Sequence, residues 1–143
     1  MADDEDIQSA VQVEITAPER VPVQFEATEV IVPGGEGVFT VLPGHTPMLS
    51  TLGMGVLIAW DEHGESRFFA INGGFVEVLD NRVVILATTA EGEEELDEER
   101  ARAAMQRAED RIRKPDDNTD IKRAEAALSR ALSRIQTKER EFY

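Results

Sequence analysis

The feature that most constrains this chain is a change of hydrophobic period near Glu95. Upstream of it, apolar residues alternate with polar ones. Downstream, they recur every three or four positions. A period of two belongs to strands, whose side chains point alternately to two faces; a period of 3.6 belongs to helices with one buried stripe. Charge style changes at the same place. Residues 1–96 hold 18 acids and 3 bases, whereas residues 97–143 hold 11 acids and 12 bases. The coincidence marks a boundary between two structural units.

The first unit reads as all-β. Val11, Val13 and Ile15 alternate with polar residues, as a half-buried strand requires. Similar runs rich in Val, Ile and Phe follow at 21–25, 27–32, 38–42, 55–60, 67–72, 74–79 and 82–88. Between them lie turn signals: Pro33-Gly34-Gly35, Pro43-Gly44, Asp61 to Gly64, and Asp80-Asn81. Asp80-Asn81 is a two-residue hairpin candidate. Phe75, Glu77 and Leu79 share one face of their strand, with Val76 and Val78 on the other. Many short strands at this spacing indicate a sandwich or barrel.

The second unit reads as helical. Ala101, Ala104, Met105, Ala108 and Ile112 lie on one helical stripe. Acids lead this helix and Arg111, Arg113 and Lys114 end it, matching the helix dipole. Pro115 to Asn118 stops it and offers cap candidates for the next helix. Ile121, Ala124, Ala127, Leu128, Ala131, Leu132 and Ile135 form the second stripe. A short connection makes the two helices antiparallel neighbours. Ala-rich stripes bury little area, so this hairpin is expected to be a low-stability unit able to change its packing partner. The fold class is thus α+β, an N-terminal antiparallel β-sandwich followed by a C-terminal antiparallel two-helix hairpin. The divisions are an acidic tail over residues 1–10, expected to be disordered, a sandwich over 11–90, and the hairpin over 91–143.

Function classes narrow by exclusion. A net charge of −14 and a pI near 4.5 oppose direct binding to nucleic acid or an anionic membrane surface. The chain has no Cys, hence no thiolate metal site and no thiol nucleophile. Its only imidazoles are His45, in a rigid PGHTP loop, and His63, in a polar turn. No Walker A, HExxH or EF-hand pattern occurs, and no apolar run is long enough to span a membrane. The expectation is a non-catalytic chain with no metal site and no required cofactor, which works by docking onto partners.

Four ordered blocks carry a family resemblance. Val32 to Pro47 reads VPGGEGVFTVLPGHTP, Phe69 to Glu91 reads FAINGGFVEVLDNRVVILATTAE, Leu96 to Ala101 reads LDEERA, and Asp120 to Ile135 reads DIKRAEAALSRALSRI. Together they resemble the epsilon subunit of F-type ATP synthase, over roughly Val11 to Ile135. Val38 and Thr40 depart from the family, which commonly has Glu and Gly there. The resemblance implies a regulatory subunit of the rotating central stalk. Its sandwich would bind the gamma subunit and the c-ring, with Pro43, Gly44 and His45 as the docking loop, and help couple ion flow to ATP synthesis. Its hairpin would extend into the alpha/beta catalytic head and inhibit ATP hydrolysis, with Arg123, Arg130 and Arg134 as contacts. The implied location is peripheral, on the cytoplasmic face of the bacterial plasma membrane. In some members the folded hairpin binds ATP as a regulatory ligand. The matching positions here are Glu91, Asp97, Arg100, Ala101, Arg107, Arg130 and Arg134. Spacing agrees with a shared role: Arg100 and Arg107 are seven apart on one helical face, and Arg130 and Arg134 are an i, i+4 pair. Asp97, three before Arg100, can pair with it or orient it. The alternative function is a stand-alone ATP-binding sensor module.

Overall fold

The computed structural model describes residues 9–140. The acidic tail therefore lies almost wholly outside the described residues. Seven strands come first: β1 (Val11–Thr16), β2 (Val23–Ala27), β3 (Glu29–Gly34), β4 (Gly37–Val41), β5 (Met48–Trp60), β6 (Ser66–Leu79) and β7 (Arg82–Gly92). A single 3₁₀ turn, Glu93–Glu95, leads to α1 (Glu98–Arg113) and α2 (Ile121–Glu139).

The strands form one hydrogen-bonded sheet in the order β2-β1-β7-β6-β5-β3-β4. Every neighbouring pair is antiparallel except β1 and β7, which run parallel with Gln12 opposite Arg82. No hairpin joins those two strands, so chain connectivity does not force them antiparallel. Val11, Val13 and Ile15 of β1 share a core with Val30, Val32 and Val41 from the opposite end of the strand order. The sheet must therefore fold over on itself, and the two layers of the sandwich enclose that core. Fully buried Leu57, Ile71, Val76, Val78, Val83 and Ile85 fill it from the long strands.

Several strands are longer than their sequence runs. The runs 67–72 and 74–79 are one strand, which passes through Gly73 and Gly74 at positive φ. β5 begins at Met48 rather than Gly55, because Ser50, Thr51 and Gly53 hide its alternation. β7 continues through Glu91, which pairs with Ala70. Pro33 is not a break: it sits inside β3, where the β3–β5 register shifts, so no ladder bond to its missing N–H is needed. Asp80 and Asn81 both have positive φ and close the β6–β7 hairpin, with Leu79 opposite Arg82.

Val56, Leu57, Ile58 and Ala59 are all buried, so β5 is covered on both faces there. Leu57 and Ala59 face the sandwich core, and Val56 and Ile58 form a second cluster with Phe68. α2 packs on β5, β6 and α1. Asp97 and Asp120 cap α1 and α2 by accepting from the N–H groups of Arg100 and Arg123, each at 3.1 Å. Asp116 is occupied within the inter-helix turn instead. The Thr119 hydroxyl, then the Asn118 N–H, hold its carboxyl below the ordinary range. Arg102 bridges Glu98 of its own helix and Glu139 of α2, which raises its pKa and ties the two open ends of the antiparallel hairpin.

The buried stripe of α2 differs from the sequence expectation. Leu132 and Ile121 are exposed, whereas Ser133 and Thr137 are buried. Neither buried hydroxyl is unsatisfied: Ser133 donates to the Gly55 carbonyl at 2.8 Å, and Thr137 donates back to the Ser133 carbonyl at 2.8 Å. The remaining buried residues of the hairpin helices are Ala101, Ala108, Ala124, Ala131 and Ile135. With so little apolar area holding it, the hairpin is expected to exchange its amide hydrogens faster than β5–β7 in the isolated chain. Equal protection of both units, measured by native-state hydrogen exchange, would refute this.

Candidate functional site

The folded hairpin closes a cleft of ≈ 340 Å³ between the end of β7 and the two helices. Glu91 comes from the last turn of strand, Glu95, Leu96 and Asp97 from the linker, Arg100, Ala101, Ala104 and Arg107 from α1, and Arg134 from α2. Six of the seven positions implied by the resemblance thus border one cavity: Glu91, Asp97, Arg100, Ala101, Arg107 and Arg134. Arg130 lies one turn away, in a shallow recess with Ile71, Thr89 and Ser133 that shares Glu91 and Arg134 with the cleft. Glu95, Leu96 and Ala104 also line the cleft and were not among the expected site positions, although Ala104 belongs to the helical stripe of α1. For Leu96 and Ala104, position on the buried side of the linker and of α1 was the available signal.

The charges of the cleft are not equivalent. All three carboxylates already have partners: Glu91 accepts from Arg134 at 2.9 and 2.8 Å, Glu95 pairs with Arg20 at 2.7 Å, and Asp97 caps α1. Asp97 thus orients Arg100 through its backbone rather than by a side-chain pair. The guanidiniums of Arg100 and Arg107 have no hydrogen-bond or ion-pair partner among the described residues. Two unpaired forks facing a cavity of small-ligand size, beside a third held on a carboxylate, suit an anion with several oxygens.

The other expected positions lie elsewhere. Arg123 stands at the first turn of α2, in a separate recess with Arg111, Asp116 and Asp120. It is not brought near Arg130 and Arg134, although the three share a side of the helix. Pro43, Gly44 and His45 lie in the β4–β5 loop. This loop is fixed rather than free: the Gly44 N–H donates to Asn81 Oδ1 at 2.6 Å, the His45 N–H donates to the Leu42 carbonyl at 3.1 Å, and His45 Nδ1 meets the Thr46 carbonyl at 2.6 Å. The loop therefore sits at the β6–β7 turn, and the cleft at the opposite end of those strands. β6 alone spans 14 residues, roughly 45 Å at ~3.3 Å per residue.

An apolar surface borders the loop end. Leu49 is 73% exposed, Phe75 54% and Leu86 51%, and Leu42 and Leu79 are exposed as well. Phe75 pairs with Leu86, and with Thr51 on the other side, so the patch lies on the face of the sheet away from Val76 and Val78. The sequence showed the alternation but gave no sign that the outward face is also apolar over several strands.

Residues 10–93 match the family model described as ATP synthase, Delta/Epsilon chain, beta-sandwich domain. Residues 94–139 match the one described as ATP synthase, Delta/Epsilon chain, long alpha-helix domain. The ATP synthase epsilon chain of Desulfatibacillum aliphaticivorans is 42% identical over 111 residues, covering 78% of this chain and 79% of the relative. That of Moorella thermoacetica is 44% identical over 113 residues, covering 79% and 84%. Among solved structures, a chain in the cryo-EM structure of Euglena gracilis mitochondrial ATP synthase (OSCP/F1/c-ring) superposes with a TM-score of 0.74 at 27% identity, covering 86% of this chain and 78% of that one. With both halves of the fold matched in order and close relatives aligned over most of their length, this chain belongs to the epsilon-chain family of ATP synthases, subunits of the central stalk.

Proposed function

We propose that this chain is a non-catalytic stalk subunit whose two ends do different work. The loop end docks: the apolar patch around Leu49, Phe75 and Leu86 sits on the gamma subunit, and the Pro43-Gly44-His45 loop meets the c-ring. Through these contacts the subunit helps couple ion flow to ATP synthesis. An apolar patch of this extent on a rigid sheet is what a stable protein interface uses. The hairpin end regulates. Folded, it holds ATP in the cleft through Arg100, Arg107 and Arg134, with Arg130 within reach of the same ligand. Extended, it enters the alpha/beta head, and Arg123, Arg130 and Arg134 pair with carboxylates there to inhibit hydrolysis. The subunit is peripheral, on the cytoplasmic face of the bacterial membrane, and among the described residues no helix is long and apolar enough to cross it.

The observation that carries this reading is the pair of unpartnered guanidiniums, Arg100 and Arg107, in a cleft that exists only while the hairpin is folded. A reconstituted catalytic head is the test. Full-length chain should slow ATP hydrolysis, and a chain ending at Glu95, which keeps β7 and the Arg20–Glu95 pair, should relieve most of the inhibition. Equal hydrolysis with both forms would remove the regulatory role and leave a docking subunit only.

A further inference from the structure

We propose that release of the hairpin is controlled by a charge latch centred on Glu93, at the C-terminal end of α2; the proposal rests on the two-state hairpin of the proposed function. The stretch from Glu91, at the end of β7, through the Glu93–Glu95 turn carries four acids, and three of them point to two different places. Glu95 faces the body: Arg20 donates to it and to the Ala90 carbonyl, with its own side chain only 16% exposed. Glu91 and Glu93 face α2. Arg134 donates to Glu91, Arg140 pairs with the Glu93 carboxylate at 3.0 Å, and Lys138 donates to the Glu93 carbonyl at 3.2 Å. Arg140 also donates to the carbonyl and hydroxyl of Ser66, and its guanidinium lies 5.1 Å from the Phe68 ring. The linker is thus fastened to the sandwich on one side and to the arm on the other.

The two fastenings have different fates. When α2 leaves, Arg20–Glu95 stays, because both partners belong to the body and linker. Arg134, Lys138 and Arg140 leave together. Arg140 caps the C-terminal end of α2 and adopts φ +57, a left-handed conformation that disfavours any residue with a Cβ. Its side chain makes the contacts that hold it there. Glycine at this position would suit the backbone and delete the latch. The latch groups are half-exposed, so each pair alone is weak and salt-sensitive, and it is as a network, added to the packing of α2 on β5 and β6, that they hold the arm. Control at the latch explains how an arm can open without first breaking the seam between α1 and α2.

The test uses the full chain and native-state hydrogen exchange of α2. Glu93→Gln and Arg140→Gly should each raise exchange across Leu132–Thr137 by roughly three- to tenfold, as expected for loss of one pair from a network. Glu94→Gln makes the same charge change at an exposed neighbour and should leave exchange unchanged. Raising salt from about 0.05 to about 0.5 M should speed exchange in the parent chain and much less in Glu93→Gln. Protection of β6 serves as the check on folding in every variant. Parent-like exchange in both Glu93→Gln and Arg140→Gly overturns the latch, as does an equal effect of Glu94→Gln, which would mean that only total charge matters. Faster α2 exchange without any change in hydrolysis by the reconstituted head would uphold the latch and reject the regulatory reading instead.

Discussion

Gly74→Ala is expected to cost a large part of the folding stability. Gly74 lies in β6 between Leu52 of β5 and Ala87 of β7, at φ +110. A Cβ there would stand 2.0 Å from the Leu86 carbonyl oxygen and 2.9 Å from the Ala87 Cα. Both neighbours are backbone, held by ladders on each side, so neither can swing away as a side chain could. The methyl must push β7 from β6 or force the φ back to a negative value, which breaks the ladder at the middle of the sheet. A loss of roughly 3–5 kcal/mol follows from strain and overpacking combined, against a total margin of about 5–15 kcal/mol for a domain. Gly44→Ala is the informative contrast. Gly44 also has positive φ, at +84, but open space surrounds its missing Cβ. Only the conformational term remains, about 1–2 kcal/mol. Urea midpoints for the two variants should therefore separate widely. A parent-like midpoint for Gly74→Ala would mean that β6 and β7 do not approach as described.

Arg107→Ala should abolish most of the stabilisation by ATP while leaving the ligand-free chain as stable as before. Arg107 is an exposed helical residue with no partner among the described residues, and Ala is the better helix former. If ATP binds the folded state at a hundredfold excess over Kd, it contributes about 2.7 kcal/mol. Losing one charge-assisted contact to phosphate weakens binding roughly tenfold to a hundredfold, which leaves about 0.4–1.4 kcal/mol at the same ATP concentration. Thermal unfolding with and without ATP reads this directly. Arg113→Ala is the control, since Arg113 pairs with Asp110 beyond the cleft, and its ATP shift should match the parent. Loss of the shift in both variants would indicate a diffuse charge effect, and retention in both would place the nucleotide elsewhere.

Much of the fold was legible because the period of two survives wherever only one face of a strand is buried. Val11, Val13 and Ile15 announce β1 for that reason. Legibility failed where that condition failed. Gly55 to Trp60 is an unbroken apolar run because α2 covers its outer face, and the start of β5 vanished because Leu49 faces outward while Ser50 faces inward. The parallel pairing of β1 with β7 leaves no local trace, since no turn connects them. In the candidate site, helical spacing correctly put Arg100 and Arg107 on one side of α1. It could not show that Glu91, at the end of a strand, would meet Arg134, 43 positions later. Nor could it show that Arg123 would be carried away to the hairpin turn. Ser133 and Thr137 were invisible as core residues because their hydroxyls look polar until the carbonyls that satisfy them are known.

The parallel junction of β1 with β7 also orders events in time. A nascent chain that has reached Leu79 can already pair β3, β4, β5 and β6 with one another. Its β1–β2 hairpin still lacks an inner neighbour, because that neighbour begins at Arg82. Sheet closure is thus a long-range, slow event, whereas α1 and α2 form from local contacts and can do so quickly. The surface that receives α2 includes Glu91 and Glu93, which are placed only when the closing strand is in register. An arm that finished early would find no seat on an unfinished body. The arm can therefore park only once β7 has paired in register with β1 and β6, so the long-range closure of the sheet precedes the docking of helices that form locally.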